Sequence, residues 1–400
     1  MKPYIFLLIF PVFLSCKNDP ICEPISLSVP YKTSKQIAKM IEESDQPWIY
    51  QLAAWEYSYI GDYQKMAETW DKDRGPRKRL SSEDSLAFLQ NYQPQNALEY
   101  IIEQASDQKI VMINEAHHQP LHRVFTTSLL QPLYDQGFRY LGLETLNHDD
   151  SLLNQRKYPI FSSGTYIVEP QFANLVREAL AIGYELFPYE SQDHSNGTQR
   201  EINQARNIQA FVEAHPEGKF LIHAGFAHII EGEYPAWGKA MAGRFEEFTG
   251  IDPYTINQTE WTQSAYETYN DGYYQIIQEK VPSVFIDQNG SPFTHPVNPD
   301  WYDLRVFHPR WEYESGRPTW LQANGKRLPY SINPPALNFD PPYLVMAYSQ
   351  NEDLEKAVPM DIAEWKDSMS APILILPPGE YQVVIQNADS TGCKFIISNP

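Results

Sequence analysis

Between residues 105 and 265 the chain alternates short apolar runs with segments of helical periodicity, and this alternation restricts the fold more than any other feature. Apolar runs begin near residues 110, 138, 184 and 219, and helical patterns occupy 121–136, 171–182, 199–214 and 237–249. Parallel strands buried on both faces form continuous apolar runs, and helical crossovers must connect them. The sequence therefore predicts an α/β domain, with a mostly parallel sheet that has helices on both faces.

The sequence pattern on either side of this domain differs from that of the domain itself. We expect residues 17–45 to be a polar tether with a helical end, and residues 46–104 to form a helical segment that precedes the α/β domain. From residue 266 to residue 400 proline is frequent and short strand-like pieces alternate with turns. This β-rich region is either a separate module or a cover on the α/β core, and residues 373–385 in it resemble a hairpin.

The N-terminal residues resemble a bacterial lipoprotein signal. Lys2 precedes an apolar stretch, Ile5 to Leu14, that is too short to span a bilayer, and Cys16 follows it. We expect residues 1–16 to be a lipoprotein signal peptide, with a lipid on Cys16 anchoring the protein in the bacterial cell envelope, at the outer membrane. The alternative is an ordinary signal peptide with an incidental cysteine.

Charge and cysteine content narrow the possible partners. The chain has 31 Lys and Arg against 51 Asp and Glu, a formal net charge of −20. A protein that binds nucleic acid needs a positively charged surface for the phosphate backbone, so we expect no nucleic-acid partner. Besides Cys16 the chain contains Cys22 and Cys393. Their spacing leaves open whether they pair in an oxidising compartment.

The predicted strands share polar, ionisable ends. In such a sheet the carboxyl ends of the strands border the crevice where ligands bind. The ionisable residues that follow the four strands are Glu115, His117, His118, His122 and Arg123 after the first, Glu144 after the second, Glu190 after the third, and His223 and His228 in and after the fourth. We therefore predict a site at this edge.

The spacing within the first group suggests a role for each residue. Glu115 and His118 are three apart at a strand-to-helix turn, so the carboxylate can orient the imidazole as a general base for water. We expect His117 and His122 to face elsewhere. Arg123 is a candidate to stabilise developing negative charge. A zinc or manganese ion on His117, His118 and His228 is the competing use of these residues, although no His-Glu-x-x-His run is present.

Four motifs, taken in order, resemble the erythromycin esterase/ChaN-like superfamily and, more distantly, the Tiki/TraB proteins. They are Asn114-Glu-Ala-His-His118, Tyr140-Leu-Gly-Leu-Glu144, Arg200-Glu-x-x-x-Ala-x-Asn-Ile208 and His223-Ala-Gly-Phe-Ala-His228. The resemblance spans about residues 105–260 and implies that Glu115, His118, Glu144 and His228 are the site residues, with His223 a looser match. The esterases activate water without a metal, Tiki-type relatives use a divalent cation, and ChaN-type lipoproteins bind haem.

The chain also departs from the pattern of that superfamily. Asn114 replaces a glycine, the spacing from His223 to His228 is longer than usual, and the core lacks room for the large helical insertion that shapes a macrolide cleft. These differences argue against a macrolide as the substrate.

From these observations we expect a membrane-anchored hydrolase of a small molecule, needing no cofactor. The predicted roles are His118 as base, Glu115 as its orienter, Glu144 as a second carboxylate, His228 and Arg123 as electrostatic stabilisers, and His223 and Glu190 as substrate contacts. The alternative is a surface lipoprotein that binds haem or a divalent metal. A catalytically inactive scaffold is a third possibility.

Overall fold

The computed structural model describes residues 22–193, 195–366 and 371–399. The predicted signal peptide and the lipidation site Cys16 lie outside the described residues. Within those residues, no helix has the length and apolar content needed to cross a membrane.

The described residues contain α-helices along most of the chain up to residue 276. Their bounds are α1 (Ser34–Glu42), α2 (Ile49–Tyr59), α3 (Tyr63–Trp70), α4 (Ser82–Asn91), α5 (Ala97–Ala105), α6 (Pro120–Asp135), α7 (Leu153–Arg156), α8 (Pro170–Ile182), α9 (Gly197–Ala214), α10 (Met241–Thr249) and α11 (Gly272–Ile276).

A mixed sheet of eight strands lies at the centre of the molecule. In spatial order its strands are β2 (Tyr92–Asn96), β10 (Ser283–Asp287), β11 (Leu304–Phe307), β9 (Tyr254–Trp261), β3 (Ile110–Glu115), β6 (Lys219–Gly225), β4 (Phe138–Leu143) and β5 (Glu185–Pro188). All neighbours from β11 to β5 pair in parallel, whereas β10 is antiparallel to both of its neighbours.

Helices pack on both faces of this sheet. Val111 and Ile113 of β3 pack in one apolar cluster with α5, α6 and α8, while Ile110 and Met112 pack in another with α9 and α10. Successive residues of a strand point to opposite faces, so β3 must be apolar throughout, and all six of its residues are buried. The predicted α/β class with a mostly parallel sheet is confirmed.

A second, antiparallel sheet contains most of the C-terminal strands. Its order is β1 (Glu23–Ile25), β19 (Gly392–Asn399), β18 (Gly379–Gln386), β15 (Tyr343–Ser349) and β16 (Asp361–Trp365), and α2 and α3 pack on one of its faces. Three short two-stranded pairs complete the strands: β7 (Glu233–Tyr234) with β8 (Gly238–Lys239), β12 (Tyr313–Glu314) with β13 (Arg317–Pro318), and β14 (Leu328–Ser331) with β17 (Ile373–Leu376).

Two predicted boundaries differ from the structure. Residues 23–45 belong to the folded molecule and are not a tether, because β1 pairs with β19 and Leu27, Tyr31 and Ile37 are buried. The boundary at residue 265 cuts through the central sheet, to which β10 and β11 belong. The predicted hairpin at 373–385 is wrong as well, since β17 pairs with β14 and β18 pairs with β15 and β19.

Cys22 and Cys393 form a disulfide across the pair of strands β1 and β19, with their Cα atoms 5.4 Å apart. The pairing that the sequence left open is therefore present in the structure.

Candidate active site

The carboxyl ends of three adjacent parallel strands, β3, β6 and β4, bring the predicted site residues together. In the parallel pairing of β3 with β6, Glu115 at the end of β3 lies opposite Gly225 at the end of β6. Glu144 follows β4, and its backbone N–H donates to the carbonyl of His223 at 3.2 Å. The site therefore lies at the sheet edge that the strand pattern predicts.

A buried ion network fixes Glu115. Arg123, on the first turn of α6, is fully buried and donates to both carboxylate oxygens of Glu115, with Nη2 to Oε1 at 2.8 Å. Its Nη1 donates to Glu169, which also accepts from the N–H of Phe172 as the N-cap of α8. Burial raises the pKa of Glu115, but the Arg123 guanidinium outweighs this effect and holds that pKa well below its usual range.

His117 is the histidine that Glu115 orients. The Nδ1 of His117 lies 3.0 Å from Oε1 of Glu115, and its ring stacks on Tyr166 with centroids 3.9 Å apart. Because the ionised carboxylate only accepts, Nδ1 carries the proton and Nε2 is left with the lone pair. Nε2 makes no hydrogen bond to any part of the chain that the structure describes.

Gly225 makes room for this imidazole. A Cβ at position 225 would lie 2.6 Å from Nε2 of His117 and 3.1 Å from Oε2 of Glu144. Only a residue without a side chain allows the ring and the second carboxylate to approach from either side of the strand end. Nε2 of His117 therefore lies beside Glu144.

Glu144 is held by groups from two other elements. Its Oε1 accepts from Nη2 of Arg200 at 2.6 Å, and its Oε2 accepts from the backbone N–H of Gly225. Burial raises the pKa of Glu144, but His228, His117 and Arg200 together lower it to about 2. Glu144 is therefore an ionised carboxylate with a fixed orientation.

His228 lies behind this carboxylate, in the short 3₁₀ turn that follows β6. Its Nδ1 is 2.8 Å from Oε2 of Glu201, and its Nε2 is 2.9 Å from Nη1 of Arg200 and 3.5 Å from Oε1 of Glu144. Burial lowers the pKa of His228, but Glu144 and Glu201 raise it by more, so the pKa lies above its usual value. Because the Arg200 guanidinium only donates, Nε2 of His228 accepts from it and Nδ1 donates to Glu201.

An open cleft of about 790 Å³ adjoins these groups. Its wall includes Glu144, His148, Thr165, Tyr166, Glu190 and Arg200. The hydroxyl of Tyr166 makes no hydrogen bond to the described residues. Burial, with Glu144 and Glu115 nearby, raises the pKa of Tyr166, so this hydroxyl remains a donor at neutral pH.

The structure brings together some of the predicted site residues. Glu115, Glu144 and His228 belong to one connected network, and Glu190 lines the cleft while accepting from Arg200 and Gln204. Arg123 has all its donor groups engaged and no exposed surface, so it supports Glu115 and does not face a substrate.

The predicted Glu115–His118 pair is not formed. His118 turns away from Glu115, and its ring stacks on Trp70 with centroids 3.6 Å apart. His117 takes the place predicted for His118, so the expectation that His117 faces elsewhere is wrong. His122 does face elsewhere: its Nδ1 accepts from the N–H of Ala116 and its Nε2 contacts Thr262.

His223 is also placed differently from its predicted role as a substrate contact. It is 1% exposed, its Nε2 lies 3.8 Å from Oε2 of Glu115, and the edge of its ring packs on Phe172. Burial lowers its pKa to about 4. His223 is therefore a neutral packing residue beneath Glu115.

The three histidines that were candidates for a metal site, His117, His118 and His228, do not point towards one common position. Within residues 22–193, 195–366 and 371–399 no three His, Cys, Asp or Glu side chains are grouped to hold a metal ion. His117 is directed at Glu115, His118 at Trp70 and His228 at Glu201. As arranged here, these three imidazoles do not fit a common metal ion.

Four residues of the site were missed by reasoning from the sequence: Tyr166, Glu169, Arg200 and Glu201. Arg200 and Glu201 carried a signal, because they open the third motif of the family resemblance and lie at the start of a predicted helix. Tyr166 and Glu169 lie in the irregular segment before α8, where no periodic pattern marks them.

Comparisons with known proteins add little to this geometry. No protein-family model matches the chain, and no curated protein matches it in sequence. The solved structures that resemble it include the type III effector HopBA1 (13% identity, TM-score 0.31, 42% of this chain and 87% of that one), RRSP, a MARTX toxin effector domain from Vibrio vulnificus (17%, 0.31, 59% and 51%), and a structure of bacterial protein toxins (16%, 0.32, 54% and 48%). The chain thus spans about half of the last two, and likenesses this weak support no argument about function.

Proposed function

We propose that the protein is a hydrolase of the erythromycin esterase-like kind, with His117 as its general base. The observation that carries the proposal is the Glu115–His117 pair, in which a buried, ionised carboxylate fixes the tautomer and leaves Nε2 free beside Glu144. A carboxylate–imidazole pair of this kind is the arrangement that withdraws a proton from water or from a nucleophilic hydroxyl.

The neighbouring groups supply the remaining roles. A water molecule that donates to Nε2 of His117 and to the carboxylate of Glu144 would be oriented for attack on an acyl carbon. As the hydroxide adds, the proton passes to His117, and the same proton then goes to the leaving oxygen when the C–O bond breaks. The Tyr166 hydroxyl lines the cleft and is the donor best placed for the oxyanion, while Arg200 keeps Glu144 ionised and in position.

Hydrolysis of a panel of p-nitrophenyl carboxylic esters tests this assignment. His117→Gln should lower kcat about 10²- to 10⁴-fold because the base is lost. Tyr166→Phe should lower kcat by about 10²-fold or more because a donor to the oxyanion is lost. His215→Gln is the matched control, since His215 follows α9, just before β6 begins, at the opposite end of that strand from Gly225.

Two outcomes would contradict the proposal. One is wild-type turnover by the His117→Gln variant, and the other is the absence of turnover by the wild-type protein across ester chain lengths. Unfolding midpoints equal to that of the wild-type protein would show that His117→Gln and Tyr166→Phe do not lose activity by unfolding.

The anchoring of this hydrolase in the cell envelope through Cys16 is proposed from the sequence alone. Capture of haem or a divalent metal is the second function that the sequence suggests. The diverging orientations of His117, His118 and His228 favour it less than hydrolysis.

A further inference from the structure

A second cavity, of about 270 Å³, lies at the same sheet edge but on the other side of Phe226 from the His117 site. Its lining comes from the N-terminus of α6, the C-terminal end of β9 with the residues that follow it, and the end of α3 with the basic loop at residues 74–79. The esterase mechanism uses none of these groups.

Three buried polar side chains of this lining make no hydrogen bond to the described residues. They are the indole of Trp70, the imidazole of His118 and the amide of Gln119, whose Nε1, Nδ1 and Oε1 atoms are buried and unpartnered. His118 and Gln119 are only 4% and 5% exposed. Buried polar side chains in native proteins almost always have partners, and at this cavity three of the unpartnered atoms lie around one space that a ligand can enter.

Positive charge also faces the cavity. Arg74 and Arg77 line it, and neither forms an ion pair with a described side chain. The Arg74 guanidinium lies 5.1 Å from the Trp70 ring centroid, on which it rests as a cation on an aromatic face.

The acidic residues of the lining are already engaged by the protein. Asp71 accepts from the N–H of Ala265, and Asp271 caps α11 by accepting from the N–H of Tyr273. Glu260 pairs with the buried Arg305. Arg74, Arg77, Trp70 and His118 supply donors with no partner among the described side chains, whereas each carboxylate of the lining already accepts a hydrogen bond, so the available donors favour an anion.

We propose that this cavity binds an oxyanion of the phosphate type, held by Arg74 and Arg77 and by the N–H groups of Trp70 and His118. The anion is either inorganic phosphate or the phosphate of a small organic ester, since both present the same acceptor oxygens. Binding does not depend on the hydrolase proposal, because the site is separate from His117 and is measured without turnover.

Isothermal titration calorimetry at constant ionic strength tests the site, with sodium phosphate and glycerol phosphate as probes and sodium chloride as the reference. Wild-type protein should bind at least one phosphate probe saturably and should not bind chloride. Saturation by both probes assigns the site to the phosphate group itself, and saturation by glycerol phosphate alone assigns it to a phosphate ester. Arg74→Ala/Arg77→Ala should bind about 10- to 100-fold more weakly, because charge-assisted hydrogen bonds are lost.

Lys78→Ala/Arg79→Ala is the matched control. This double variant removes two positive charges from the same loop, at residues that do not line the cavity. Its affinity for the phosphate probe should stay within about twofold of that of the wild-type protein. His118→Phe keeps an aromatic ring against Trp70 but lacks both nitrogens, and should weaken binding about tenfold. Equal weakening by the two double variants, or no saturable binding of either phosphate probe, would overturn the proposal.

Discussion

At the residue scale, the position of Nε2 of His117 depends on a side chain that one neighbour lacks as well as on the contacts that the others provide. Glu115 and Arg123 fix one side of the ring, and the missing side chain of Gly225 leaves space on the other side. The sequence points to the run that contains the proposed base, but it does not single out His117 within that run. Adjacent residues of a strand-to-helix turn point in different directions, and the direction follows from contacts with Tyr166 and Gly225, which lie far away in sequence.

Gly225→Ala tests this packing. The added methyl group would overlap the space of His117 Nε2 and must displace the imidazole, so hydrolysis of p-nitrophenyl esters should fall about 10²-fold, as expected for a misplacement of about 1 Å. Gly75→Ala is the control, because a Cβ there meets no atom within 4 Å. Wild-type turnover by Gly225→Ala would show that the close approach is not needed.

At the element scale, the periodicity predicts the strands β3, β4, β5 and β6 and the helices α6, α8, α9 and α10, with ends displaced by a few residues, but it does not predict the strand β9 that pairs with β3. The apolar run from Ile110 and the helix that ends at Gly183 are examples. The order of strands was not predictable, since the position of β3 between β6 and β9 depends on pairing between residues more than one hundred apart. The three-residue strand β1 is too short and polar to show a pattern, and it was therefore assigned to a tether.

The helix α1 offers a direct test of that correction. The Thr33 hydroxyl accepts from the N–H of Gln36, and the Gln36 side chain accepts from the N–H of Thr33, which together form a capping box. If α1 folds with the rest, Thr33→Ala should lower the free energy of unfolding by about 1 kcal/mol in urea titrations. Ser28→Ala, at an exposed residue of the same segment, should change it little. If Thr33→Ala leaves the free energy of unfolding unchanged, the segment that contains α1 unfolds independently of the rest of the protein.

At the scale of the whole molecule, buried histidines link stability to pH. Burial lowers the pKa of His118, His122, His223 and His308, with His223 at about 4 and His308 at about 3. Each of these groups binds a proton in the unfolded chain below about pH 6.5 but stays neutral in the fold. Their contribution to stability is therefore complete above that pH and is lost as the pH falls towards the folded values.

Chemical denaturation between pH 6.5 and 5 should show this loss. The free energy of unfolding of the wild-type protein should fall as the pH falls, by up to about 1.4 kcal/mol per pH unit for each such histidine. His308→Phe should reduce the slope of the free energy of unfolding against pH by up to the amount that one bound proton contributes. An unchanged slope would contradict the low pKa of His308. Glu144, with a pKa of about 2, loses its contribution only below about pH 4.5 and does not interfere.

The disulfide between Cys22 and Cys393 has a mechanical consequence. Tension applied between the residues before Cys22 and those after Cys393 passes through one covalent bond, because the disulfide joins two cysteines 371 positions apart and closes the chain between them into a loop. A pull on the two ends in a single-molecule force experiment would leave the sheet and the site at its edge unloaded until that bond is reduced. The extension gained on unfolding would then report the redox state of one cysteine pair.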